Sequence, residues 1–274
     1  MKWQELFYND VQAYMRHEDI NWVYNKMALI KGQGIACAPV GVYPTNYPVC
    51  VKPIINLYGM SRDAHLVESS EDYEEYLLEE RPSGQFWMPF LSGTQHTVDM
   101  LFRRGKIVFV DAFKCTPSDD IFGLFDSHVH VNDYVLPKNV ADFLERKLRR
   151  YTGPLNVEII DNVVIEVHLR WNGDNYMWRR RTEFIKCLPL WLSQCRAIPR
   201  IQEDVAYIPC FVDRDADLEV CQSTLYQYND TRLRVHLDDV DGEHQQQYIR
   251  IGMFVVRNED AREVKLIKIK NNWI

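Results

Sequence analysis

The 274-residue sequence lacks any apolar run of the ~18 residues that a membrane-spanning helix requires. Its first twenty residues carry acids among the apolar positions, so they do not read as a secretion signal, and the cytoplasm is the expected compartment. Basic residues are the minority. There are 32 Lys and Arg against 39 Asp and Glu, a formal charge of −7. That balance disfavours a phosphate backbone as main partner, so neither nucleic acid nor membrane is expected. The 7 cysteines are an odd number, and no two stand in Cys-x-x-Cys spacing. A zinc site and a disulfide framework are both poorly supported, which leaves buried thiols. Glycine and proline number only 12 each, and neither repeats nor low-complexity tracts occur, so collagen-like and linker-like chains are excluded. What remains is 46% hydrophobic and 26% charged, enough for one or two globular domains with a full core.

Apolar spacing predicts an amphipathic helix over residues 3–15, with Trp3, Leu6, Phe7, Val11 and Tyr14 on its face. A second helix is expected from Trp22 to Gln33, stopped by Gly34. Residues 49–52 read as a strand ending at Pro53, and residues 69–77 as a capped acidic helix buried through Tyr73, Tyr76 and Leu77. A strand or hinge over 85–91 precedes a hairpin of 94–103 and 106–113 turning at Arg104 and Gly105. Residues 115–136 read as polar and irregular. Pro137 opens a helix over 138–150 that buries Val140, Phe143, Leu144 and Leu148. Strands follow at 155–160 and 163–170, then a helical stretch from Tyr176 that Pro189 interrupts. Beyond about residue 200, strands are expected at 211–213, 233–237, 248–256 and 264–269, the last as a lysine-guarded sheet edge. The class is α+β with a β-rich end.

The segment 155–170 is the most informative. Side chains alternate along a strand. Odd positions (Val157, Ile159, Val163, Ile165, Val167, Leu169) are all apolar, whereas even ones give Asn156, Glu158, Glu166, His168 and Arg170. If Glu158 opposes Glu166, the loop centres on Asn162 and has an odd number of residues. A two-residue Asp161-Asn162 turn instead pairs Glu158 with Ile165 and separates the acids. The alternation favours the odd loop. Two facing carboxylates repel, and a divalent cation such as Mg2+ offsets that cost. Arg170 then faces the phosphates such an ion carries. The plain alternative is a solvated face with an ordinary ion pair. Lys52, at the end of an apolar strand, suits a phosphate, although a surface lysine on an edge strand explains it alone; Lys26 stands early in a helix, where a cation is slightly unfavourable, a weak sign that something else requires it.

The order of these pieces resembles the ATP-grasp superfamily of carboxylate–amine ligases over about residues 22–195. The resemblance rests on 25–27 (Asn-Lys-Met), 34–39, 51–53 (Val-Lys-Pro), 58–62 around Gly59, 87–95, 155–158 and 165–170. It implies a two-lobed α+β fold with an additional β-rich C-terminal segment. Its parts are an N-terminal helix (1–21) in place of most of the usual N-terminal domain, a small lobe (22–92), a large lobe (93–198) and the β-rich end (199–274). By position it implies that Lys26 and Lys52 contact nucleotide phosphates under a loop with Asn56, Gly59, Ser61 and Arg62. Trp87, Met88, Phe90 and Leu91 hold adenine through backbone groups. Gln95 stands at the ribose-binding acid's place, and Asn156 assists. Glu158, Glu166 and His168 bind Mg2+, His168 replacing the usual Asn. Arg170, with Lys52, stabilises the transferred phosphate.

The implied reaction joins a small-molecule or peptide carboxylate to an amine through an acylphosphate at the expense of ATP. The departures are a phosphate loop with Gly59 as its lone glycine, Met88 and Pro89 at the hinge acids, and Gln95. They keep two alternatives open: a phosphotransferase, or a nonenzymatic nucleotide-binding or interaction protein. An oligomer is compatible with the sequence. Substrate contacts are expected in 115–136, where His128 and His130 share a face, and in 171–175; Arg179, Arg180 and Arg181 read as a solvated helix face.

Overall fold

A computed structural model describes residues 9–58, 63–79, 83–118, 122–172, 204–229, 233–237 and 248–274. The chain divides into two units, Met1–Ala112 with Asp133–Ile201 and Phe113–Asn132 with Gln202–Ile274.

In the first unit, α1 (Asp10–Arg16) is capped by Asn9, whose side chain accepts from Gln12 N while the Gln12 side chain accepts from Asn9 N. Its buried residues are Asp10 and Ala13, whereas Val11 is 40% exposed. Of the apolar stripe expected for this helix, Val11 faces outward and Tyr14 packs against the core, while Trp3, Leu6 and Phe7 lie outside the described residues; an acid occupies the inward face. The helix expected from Trp22 to Gln33 is split. A 3-10 turn at Asn21–Tyr24 precedes α2 (Lys26–Gly32), because the Asn25 side chain caps Ala28 N and restarts the helix.

Strands β1 (Ala38–Pro39), β2 (Val49–Pro53), β3 (His65–Val67) and β4 (Gln85–Pro89) form a sheet in the order β1-β4-β2-β3. Its two faces follow from alternation. Val49, Val51, Val67 and Trp87 pack on Tyr73 and Tyr76 of α3 (Ser70–Leu78), which Ser69 caps. Cys50, Phe86 and Met88 pack on the opposite face.

The second sheet of this unit has the order β6-β5-β8-β9, from β5 (Gln95–Arg103), residues 106–112 of β6 (Lys106–Pro117), β8 (Gly153–Ile160) and β9 (Val163–His168). Arg104 and Gly105 turn β5 into β6 at φ 50° and 77°. Below the sheet, Val98, Met100, Phe102, Leu155, Val157, Ile159, Val164, Val167 and Leu169 bury against Val140, Phe143 and Leu144 of α4 (Lys138–Lys147). Each such side chain contributes about 1.5–3 kcal/mol by burial. Pro137 stands at the N-cap of α4.

The second unit holds β7 (Phe125–His130), β10 (Ala206–Asp213), β11 (Arg234–Leu237) and β12 (Tyr248–Val256) with the end of β6, in the order β11-β12-β10-β7-β6. Strand β7 corrects the irregular reading of 115–136. It pairs with β6 through Cys115↔His128, where Sγ lies 3.3 Å from Nδ1. Helix α5 (Leu218–Tyr226) and helix α6 (Ala261–Lys270) cover one face through Leu225, Val264 and Ile267. The strand expected at 264–269 is thus a helix. Val264 and Ile267 are three apart on one side, acids lead and lysines end the segment, which suits the helix dipole. Lys268 guards no edge; it is buried and donates to Pro209 O at 3.1 Å. Among the described residues, no helix is long and apolar enough to cross a membrane.

Candidate functional site

The β8–β9 hairpin brings Glu158 opposite Glu166 and Asn156 opposite His168. The route to that register differs from the expected one. The turn is the two-residue Asp161-Asn162, with Ile160 opposite Val163 and Ile159 opposite Val164. A β-bulge then inserts one extra residue on β9, between Val164 and Glu166. Asp161, not Asn162, takes the left-handed conformation, at φ 52°. The bulge reverses the parity of the strand's first half. Val164 enters the core below, whereas Val163 and Ile165 turn to the upper face with Ile30, Phe86 and Met88.

The edge of β9 at the bulge is covered by a side chain. Gln33, just after α2, donates from Nε2 to Val164 O and accepts at Oε1 from Val164 N, both at 2.8 Å. This amide pairing fixes the helix that carries Lys26 over the acids. Lys26 Nζ forms an ion pair with Glu166 Oε1, and both groups are largely buried. On the facing strand, Gln95 Nε2 donates to Glu158 Oε2 at 3.1 Å. Lys52 projects from the same face of β2 as Cys50, near enough to Lys26 and Glu158 to interact electrostatically with both. Burial, then the charge of Lys52, pushes the Lys26 ammonium down to about 7, against the pull of Glu158. Burial likewise lowers Lys52.

A residue that sequence reading used only to argue against a signal peptide organises the other end. Asp10 of α1 lies 3.0 Å through Oδ1 from His168 Nδ1 and 2.5 Å through Oδ2 from Arg170 Nη2. Tyr24 donates its hydroxyl to Asp10 Oδ1 at 3.0 Å and accepts from Leu169 N at 3.1 Å. Burial works against the Asp10 carboxylate, but His168 and Arg170 outweigh it and hold the carboxyl well below the usual range. Burial and the charge of Asp10 push the Tyr24 hydroxyl up. His168 Nε2 lies 3.4 Å from Glu166 Oε2.

Beside the acids, Asn156 Nδ2 donates to Thr97 Oγ1 at 3.0 Å and Asp99 Oδ1 at 3.1 Å, and Asp99 Oδ1 also accepts from Asn172 N at 2.8 Å. The strand parity Gln95, Thr97, Asp99 is a legible signal for this row.

The structure therefore gathers Lys26, Lys52, Gln95, Asn156, Glu158, Glu166, His168 and Arg170. It adds Asp10, Tyr24, Thr97 and Asp99 to them. Of the expected nucleotide contacts, Met88 and Leu91 join the apolar patch with Phe86 and Ile165. The Trp87 side chain points to the other face and donates to Val42 O at 2.7 Å, and Phe90 is exposed. Asn56 accepts from Tyr58 N at 2.9 Å. Gly59, Ser61 and Arg62 lie outside the described residues, as does the stretch 173–203. Oxygen or nitrogen ligand atoms of Glu158, Glu166 and His168 all lie within 4.8 Å of one another. Two carboxylates and an imidazole Nε2 form a donor set that fits a divalent cation.

No protein-family model matches the sequence, and no curated protein sequence matches it. Solved structures match over most of the chain. An L-amino acid ligase from Bacillus licheniformis is 14% identical with a TM-score of 0.57, over 95% of this chain and 72% of that one. N5-carboxyaminoimidazole synthetase from Staphylococcus aureus, complexed with ADP, is 11% identical with a TM-score of 0.65, over 93% and 72%. Carboxyaminoimidazole ribonucleotide synthase from Aspergillus clavatus, complexed with ATP, is 12% identical with a TM-score of 0.62, over 91% and 72%. At these identities the likeness is one of fold, and the fold is that of the ATP-grasp enzymes.

Proposed function

We propose that this protein is an ATP-dependent ligase that joins a carboxylate to an amine through an acylphosphate, with a divalent cation at Glu158, Glu166 and His168. The observation that carries the reading is the meeting of two buried lysines, two opposed glutamates and a histidine on one face, in a fold shared with solved structures holding ADP or ATP. Buried charge of both signs is costly to assemble, and pure stability rarely selects it.

In the reaction, a substrate carboxylate oxygen forms a bond to the γ-phosphorus while the bond to ADP breaks. The amine nitrogen then attacks the acyl carbon, loses a proton, and phosphate leaves. The chain supplies position and charge. The apolar patch of Phe86, Met88, Leu91 and Ile165 takes the flat base. Lys26 and Lys52 neutralise phosphate oxygens, and Arg170, oriented by Asp10, meets the charge that develops on the transferred group. Glu158, Glu166 and His168 would hold a divalent cation, which would offset the charge of the phosphate oxygens.

The test combines thermal unfolding with ATP and a divalent cation, and release of ADP with carboxylate and amine mixtures. A rise in Tm with nucleotide is expected, together with ADP release that needs both co-substrates. Glu166→Gln is expected to cost about 10²–10³ in rate. Absence of a Tm shift at millimolar ATP, or full turnover by Glu166→Gln, overturns the reading.

A further inference from the structure

We propose that the cation position at Glu158, Glu166 and His168 favours divalent ions of the first-row transition series, beginning with Mn2+ at its hard end, over magnesium, and that Asp10 is the positioning residue behind this preference. The proposal rests on the reading that these three residues bind a divalent cation. It goes beyond that reading by naming the ion class and the supporting residue.

The chemistry of the donors gives the first argument. Mg2+ demands oxygen ligands in near-ideal octahedral geometry, and an imidazole nitrogen suits it poorly. Nitrogen donors raise affinity along the first-row transition series, while two carboxylates keep the site hard enough for its early members.

The surroundings of His168 give the second argument. An unsupported imidazole on a strand face can rotate away or present either nitrogen. Here the ring is held on several sides. It is buried, the Tyr24 ring meets it edge-on at 6.0 Å between centroids, and Asp10 Oδ1 lies 3.0 Å from Nδ1. An ionised carboxylate only accepts, so the shared hydrogen sits on Nδ1, and Nε2 is the nitrogen that would meet a cation. That is the nitrogen directed to Glu166, at 3.4 Å. A carboxylate behind a ligating histidine fixes its tautomer and raises its basicity. Asp10 is itself anchored by Arg170 at 2.5 Å and Tyr24 at 3.0 Å, so the support is rigid. A chain needing only a hard oxygen site has no use for a buried Asp–His pair at this point.

The experiment titrates the full chain with Mn2+ alone, without nucleotide, and follows the free-ion signal by electron paramagnetic resonance. Mg2+ is then added as competitor. Pulsed measurements on the bound Mn2+ read coupling to a directly ligated imidazole nitrogen. The expected result is Mn2+ binding that equimolar Mg2+ fails to displace, with nitrogen coupling that His168→Asn abolishes. Asp10→Asn is expected to lower Mn2+ affinity about 10–100-fold while Glu158 and Glu166 remain. The wild-type competition needs no variant, so misfolding of either variant leaves the test intact. Displacement of Mn2+ by equimolar Mg2+, or bound Mn2+ without nitrogen coupling, overturns the proposal. The ligase reading fails separately. Nitrogen-coupled Mn2+ without an ATP-induced Tm shift sinks the ligase and keeps the metal preference; an ATP shift with a nitrogen-free ion does the reverse.

Discussion

Tyr24→Phe isolates the hydroxyl that joins α1 to the residue after β9. The ring is buried in the core of the first unit and packs edge-on against Tyr14 at 5.7 Å, so Phe keeps the packing and opens no cavity. Two bonds are lost. The first leaves Leu169 N–H without its acceptor at a residue with no exposed surface, which costs about 1–3 kcal/mol. The second removes a donor from the Asp10 carboxylate, worth about 1.5–3 kcal/mol, although His168 and Arg170 retain most of its compensation. Because the two effects share one network they do not add fully, and about 2–4 kcal/mol is expected. The penalty has a pH signature. The Asp10 carboxyl is held below its ordinary value near 4, so its stabilising role is present above that value and is lost only as pH falls through the lower folded value. The difference between wild type and variant is therefore flat from pH 8 to pH 5. Urea unfolding measures it, and hydrogen exchange at the Leu169 amide locates it. A loss under 1 kcal/mol, an unchanged Leu169 protection, or a penalty that fades by pH 5 refutes the reasoning.

Lys26→Met tests the buried ammonium. Its folded value of about 7 lies below that of an unfolded lysine, so the unfolded chain binds more protons between pH 7 and 10 and wild-type stability rises with pH there. The variant lacks that rise, and the stability difference changes by up to about 1.4 kcal/mol per pH unit in denaturation at pH 7, 8 and 9; a constant difference contradicts the assignment. Gly105→Ala places a Cβ 2.1 Å from Arg149 O at a residue with φ 77°, so backbone has to move. A loss of about 2 kcal/mol or more in thermal unfolding is expected, and a neutral result contradicts the turn geometry. Gln33→Leu removes both bonds to Val164 and is expected to cost about 1–2 kcal/mol, with faster exchange of the Val164 amide. Unchanged exchange shows that the strand edge is covered otherwise.

The polar row of the hairpin was legible because alternation is a property of every strand, and Glu158, Glu166 and His168 share a face as read. The turn was not, because a β-bulge is a one-residue decision made by tertiary packing. Residue 165 is an isoleucine that buries on either face, so its own hydrophobicity says nothing of direction. Its position follows from an apolar patch supplied by Ile30, Phe86 and Met88, all distant in sequence. Asp10 was hidden for a related reason. An acid in the first turn of a helix reads as dipole compensation, and only the approach of His168 and Arg170, some 160 residues later, turns it inward. The helix at 261–270 was misread because alternating lysines at its end mimic a strand, whereas Val264 and Ile267 carry the helical spacing.

Charge balance ties the site together. Asp10, Asp99, Glu158 and Glu166 stand with Lys26, Lys52 and Arg170, four acids to three bases around one imidazole. Such a cluster offers a triphosphate no net attraction, because the acids outnumber the bases and Lys26 and Arg170 are already paired with carboxylates. Lys26 in particular is held by Glu166 and has to release it before reaching a phosphate. On the proposed function, a divalent cation held by Glu158, Glu166 and His168 would perform that exchange, since it would satisfy Glu166 and free the Lys26 ammonium. Nucleotide affinity and cation affinity are then one coupled equilibrium, and each raises the other by the same factor. On the proposed function, metal-free ATP is therefore expected to bind more weakly than ATP with a divalent cation, because Lys26 stays paired with Glu166.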